Sequence, residues 1–162
     1  MKYNPKIIKA EMMEPYVKST SPNIIVSGGL GPCIAVGAIY KAVGYMVHFH
    51  SISFSEWDLK SLVDLLITLN KEIKNKSKLK IYIAGAGSDP GDSKEEKKLM
   101  IKDRNVTLET IAKHKLSDNL EKVEWRKTSY MSQELVLDLK DGEAIFFMNS
   151  YPSHLNIPGR GS

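Results

Sequence analysis

Cysteine is nearly absent from this chain: its 162 residues include one, Cys33. A single cysteine excludes an intramolecular disulfide and suits a reducing compartment. Long apolar runs are missing too. The segment from Met1 to Thr20 carries lysines but no continuous apolar stretch of the kind a secretory leader needs, and no run approaches the length of a membrane span. We therefore expect no membrane insertion and a cytoplasmic location, although an effector secreted without a classical signal peptide would have the same composition. There is no internal repeat. The glycines of Gly85–Gly91 lack the lysine and hydroxyl spacing of a phosphate-binding loop, which argues against a nucleotide. The net charge of +4 is modest. The lysines of Lys71–Lys80 and Lys94–Lys102 read as solvated helix and loop faces, and no nucleic-acid motif accompanies them. One cysteine with two nearby histidines offers too few ligands for a metal centre, so neither a metal nor an organic cofactor is expected.

What the chain does have is concentrated between Ser27 and His48. Cys33 directly follows the glycine-rich turn Gly28-Gly29-Leu30-Gly31-Pro32 and directly precedes a β-branched run to Tyr40. A short break containing Gly44 leads to a second apolar run, Tyr45 to Phe49, and the two runs read as antiparallel strands joined by a tight connection. A bend centred between Tyr40 and Lys41 puts Cys33 opposite His48, on one face of the hairpin. His50 shares that face, and a register slip of two would exchange the histidines. A cysteine and a histidine within reach of each other are the minimal set for covalent catalysis, since the imidazole lowers the thiol pKa and later protonates a departing amine. The plain alternative is that both are core residues, because free cysteine is among the most buried residue types. The turn permits close backbone approach to a substrate, with Gly29, Leu30 and Gly31 as candidate substrate or oxyanion contacts. Pro32 has no N–H to give, so the Cys33 N–H is the first candidate oxyanion donor.

The run Ser27-Gly28-Gly29-Leu30-Gly31-Pro32-Cys33-Ile34-Ala35-Val36, followed by Gly44-Tyr45-Met46-Val47-His48, resembles the core of the CheD family of chemoreceptor glutamine deamidases. Further on, Ile81 to Gly87 resembles that family's strand ending in Gly-Gly-Ala, and Asp103-Arg104-Asn105-Val106 its Arg-Asn-Val helix start. The likeness spans Asn23 to Met148. It implies a cysteine nucleophile at Cys33, a general base and acid at His48, and Ser27 in place of the threonine that orients the histidine. It also implies deamidation of glutamine side chains in a protein substrate, a chemoreceptor or, as in the related toxins of the cytotoxic necrotizing factor type, a host protein. Serine for threonine at 27, Pro32 before the cysteine and Tyr45 for a glycine are departures. The family's late glycine- and arginine-rich segment is replaced by Ser129-Tyr130-Met131-Ser132-Gln133. A catalytically silent module that docks a receptor or regulatory partner is the rival expectation.

Ile7-Ile8 and Ile24-Ile25-Val26 read as two early strands separated by a proline-bearing loop. Phe49–Phe54 should form one wall of the site. Ser55 to Asp58 has the pattern of a helix cap, and Leu59, Leu62, Val63, Leu66, Leu69 and Ile73 recur at helical spacing. Leu79–Ala84 reads as a strand, and the segment from Asp92 as a helix with a break near Asn105. Val123–Thr128 reads as a strand, and Asp141-Gly142 joins Glu134–Leu139 and Ala144–Met148 as a hairpin. Tyr151–Ser162 reads as a loose tail after a single domain of residues 1–150. The order of elements argues for a mixed α/β or α+β fold, and the resemblance implies a β-sandwich-type core of mixed sheets flanked by helices.

Overall fold

The computed structural model describes residues 4–50 and 56–152, with the side chains of 56–58 excepted. The expected cap at Ser55, the wall beyond His50 and most of the tail lie outside the described residues.

Alternation along two central strands sets the architecture. In β4 (Ile34–Tyr40) and β5 (Val43–Phe49) nearly every side chain is buried, so both sheet faces must be covered. One set, Ile34, Val36 and Ala38 with Tyr45, Val47 and Phe49, packs against the helices. The other set, Ala35, Ile39 and Met46, packs against a second sheet, with Cys33 at its margin. His48 shares the second face by the same alternation.

Among the described residues, nine strands form two mixed sheets. One has the order β2-β5-β4-β6-β7, with β2 at Val17–Thr20, β6 at Lys80–Gly85 and β7 at Leu120–Trp125. The other has the order β1-β3-β8-β9, with β1 at Ile7–Lys9, β3 at Ile24–Val26, β8 at Ser132–Asp138 and β9 at Glu143–Asn149. Helix α1 (Glu56–Glu72) supplies Leu62, Leu65, Leu66 and Leu69 to the outer core. Truncating any of these to alanine should cost about 2–5 kcal/mol. Helix α2 (Lys94–Lys113) links the parallel pair β6 and β7, as a parallel crossover requires.

Three expectations are corrected. Strand β2 lies inside the segment read as a proline-bearing loop and pairs with β5 along Val17↔Met46. Helix α2 runs unbroken through Asn105, started by a reciprocal cap between Ser93 and Glu96. Strand β7 ends at Trp125 rather than Thr128, because Arg126 turns inward. The hairpin at Asp141-Gly142 is present, with Gly142 in the left-handed region at φ 68°.

Candidate active site

The hairpin that carries the site closes one residue later than the spacing suggests. Tyr40 pairs with Val43 across Lys41-Ala42, and Lys41 takes a left-handed φ of 53°. The register then places Ala35, not Cys33, opposite His48. A bend centred after Tyr40 makes Tyr40-Lys41 the two-residue turn, whereas the chain turns at Lys41-Ala42. Cys33 precedes the first strand residue, and the same register carried one step outward brings His50 opposite it. His48 becomes the diagonal neighbour of Cys33 on the inter-sheet face, a relation in which Cβ atoms are typically roughly 7–8 Å apart and long side chains still meet.

His48 is held in one tautomer. Its Nδ1 lies 2.9 Å from the Ser27 carbonyl oxygen and 3.2 Å from that of Ala10. A carbonyl only accepts, so Nδ1 carries the proton and Nε2 holds the lone pair. Nε2 is buried and has no hydrogen-bond partner among the described residues, and the residue is 8% exposed. Burial lowers the imidazole pKa below its usual 6.5, and the two carbonyl hydrogen bonds oppose that only in part. The ring is therefore neutral at pH 7, the state a general base needs.

Ser27 is placed differently from the expectation drawn from the resemblance. Its hydroxyl donates to the Gly28 carbonyl at 2.7 Å and accepts from the Leu135 N–H at 2.9 Å. The backbone carbonyl, not the hydroxyl, orients His48. The glycine turn that follows starts at Gly28, whose φ of 72° favours a residue without Cβ.

Leu30 exchanges both backbone hydrogen bonds with Gln133, at 2.7 and 2.9 Å, so its N–H is committed and is not an oxyanion donor. The Gly31 carbonyl accepts from the Gly87 N–H at 3.0 Å, and Gly29 lies against Ser132. The Cys33 carbonyl accepts from the Ala86 N–H at 2.8 Å. That contact requires Gly85, with φ of 98°, since a Cβ there would stand 2.0 Å from the Cys33 oxygen.

Three residues in this region carry roles the sequence reading did not assign. Met12 forms an isolated backbone bridge with His48, and its Sδ lies 3.6 Å from Cys33 Sγ. The thiol donates toward the thioether, and Met12, 43% exposed, covers it. Arg126, fully buried, donates to the carbonyls of Gly31, Gly87 and Tyr130 and to Asp89. It ties together three loops beside Cys33. Gln133, also fully buried, accepts the Gly85 N–H at 2.7 Å through Oε1, while its Nε2 has no partner among the described residues. Arg126 stands out only as a lone arginine after a strand. Gln133 stands out as a polar residue on the inward face of an apolar strand. A cavity of about 300 Å³ opens beside the turn, lined by Pro32, His50 and the carboxylates of Asp89, Asp92 and Glu96, among others.

No known family model matches the chain, and no curated protein matches it. Among solved structures it is similar to the crystal structure of the Bacillus licheniformis hypothetical protein YfiH, with 11% identity and a TM-score of 0.48, over 71% of this chain and 52% of that one. The chain thus spans about half the length of that protein. These comparisons do not place the chain in the CheD family, and that likeness rests on the residues quoted above.

Proposed function

We propose that the protein is a cysteine hydrolase that deamidates glutamine side chains of a protein substrate. The observation that carries this reading is the tautomer of His48: Nδ1–H is fixed on two carbonyls, which leaves a buried Nε2, without a partner among the described residues, on the sheet face it shares with Cys33. Cys33 Sγ attacks the carboxamide carbon and gives its proton to His48 Nε2. The tetrahedral intermediate collapses by breaking the C–N bond, and the imidazolium protonates the departing ammonia. His48 then takes a proton from water, which cleaves the γ-glutamyl thioester to glutamate and returns the thiol. The residues shared with the CheD family favour glutamine as the substrate group. A chemoreceptor and a host protein met by a secreted effector present the same group, and the identity of the modified protein separates them.

One observation favours the second reading, a docking module without turnover: Met12 Sδ covers the thiol. Incubation of the native protein with glutamine-bearing proteins from its cell of origin, followed by mass spectrometry, decides between them. Glutamate at a glutamine site, lost with Cys33→Ala, supports the enzyme. A full biological effect retained by folded Cys33→Ala supports the docking module.

A further inference from the structure

The inter-sheet layer holds two buried side-chain atoms without hydrogen-bond partners among the described residues, His48 Nε2 and Gln133 Nε2. One is an acceptor and the other a donor. We propose that Gln133 is a catalytic residue whose side-chain N–H binds the oxyanion formed when Cys33 attacks a carbonyl. This rests on the Cys33–His48 reading and adds to it the donor that the glycine turn does not supply from Leu30.

Gln133 sits at the level of the nucleophile by three independent contacts. Its backbone pairs with Leu30, three residues before Cys33. Its Oε1 accepts from Gly85, which lies opposite Ile34 and packs onto the Cys33 carbonyl. Leu135 and Leu137, two and four residues along β8 and therefore on the same face, lie against Gly37 in the middle of β4. Stepping both strands outward from that contact brings Gln133 to the end of the layer where Cys33 enters. The Gly85 bond also fixes the amide: Oε1 must accept, so Nε2 is the free donor and its orientation is set.

A purely structural role needs only Oε1. Leaving a buried N–H without a partner lowers stability, and a preorganised donor is what the developing charge on a tetrahedral intermediate calls for. His48 Nε2 and Gln133 Nε2 then divide the work, one receiving the thiol proton and the other holding the oxygen.

The test compares two reactions of Cys33 in wild type, Gln133→Glu and Gln133→Met. Iodoacetamide alkylates the thiolate by displacement and forms no oxyanion. p-Nitrophenyl acetate acetylates it: the S–C bond forms, the bond to p-nitrophenolate breaks with its electron pair leaving on oxygen, and the thiol proton passes through His48 to solvent. Gln133→Glu keeps the acceptor for Gly85 and the side-chain volume. We expect acetylation to fall by about 10²-fold, the effect of losing one oxyanion donor, with alkylation within about threefold of wild type. Equal changes in both reactions, or none in either, overturn the proposal. If neither variant folds, the proton–nitrogen spectrum of the wild type decides: a peptide aldehyde that forms a thiohemiacetal should shift the Gln133 side-chain amide, and an unmoved amide overturns the proposal. Failure of the underlying reading looks different, since Cys33 of the wild type would then resist both reagents.

Discussion

Ser27 and His48 separate what the backbone does from what side chains do. The Ser27 hydroxyl satisfies Leu135 and the Ser27 carbonyl satisfies His48. Ser27→Ala should therefore lower the unfolding free energy by about 1–2 kcal/mol through the orphaned Leu135 N–H, measured by urea denaturation. Iodoacetamide reactivity of Cys33 should stay within a few-fold of wild type in that variant. A loss as large as that caused by removing His48 would mean that the hydroxyl orients the ring after all. His48 also ties stability to pH. Its pKa is lowered on folding by burial, so the unfolded chain binds the extra proton first. The contribution is full above the ordinary imidazole value of about 6.5 and is lost as pH falls through the lowered folded value, with a slope of at most about 1.4 kcal/mol per pH unit. Denaturation midpoints should fall below pH 6.5 and the slope should flatten in His48→Gln. An unchanged slope contradicts the buried, neutral ring.

At the scale of elements, β4 and β5 were legible as two apolar runs about a short break, and the period of two along a strand correctly put Cys33 and His48 on one side. The register was not. It hangs on which two residues make the turn, and Lys41-Ala42 lacks the Asn-Gly or Asp-Gly signature that marks Asp141-Gly142 so plainly. The strand β2 was hidden because Val17-Lys18-Ser19-Thr20 is short and sits on a sheet edge, where alternation is weak. The helix through Asn105 was underestimated because its apolar residues are few. Two elements next to the thiol invite substitution. Gly85→Ala should cost about 1–3 kcal/mol from the left-handed backbone alone and should displace the Cys33 carbonyl, visible as lost protection of the Ala86 amide in hydrogen exchange. Met12→Ala removes the thioether over Cys33 and should speed alkylation several-fold. An unchanged rate would mean that the reagent reaches the thiol by another path.

For the molecule as a whole, the site lies where one end of the two sheets is tied together by Arg126, and nothing in the sequence marks that role. The guanidinium joins residues 31, 87, 89 and 130, contacts spread too far along the chain to be read from spacing. Arg126→Met leaves three carbonyls without that donor and should destabilise the protein by about 3 kcal/mol, at about 1 kcal/mol for each, as measured by guanidinium unfolding. A loss under about 1 kcal/mol would mean that the loops hold without it. The mixed α+β class was legible from the order of strands and helices, whereas the division into two sheets was expected only from the resemblance. The shared face of Cys33 and His48 was legible too, but the position of Gln133 was not, since it arrives on β8, about a hundred residues further along the chain. The central claim is that neutral His48 serves as the base for Cys33, and the pH profile of iodoacetamide alkylation in wild type and His48→Ala tests it most directly. The account predicts a reactive thiol whose profile turns below pH 6.5 with deprotonation of the pair, and a variant that reacts slowly at pH 7 and follows an ordinary thiol value near 8.5. A wild-type profile identical to that of the variant would contradict it.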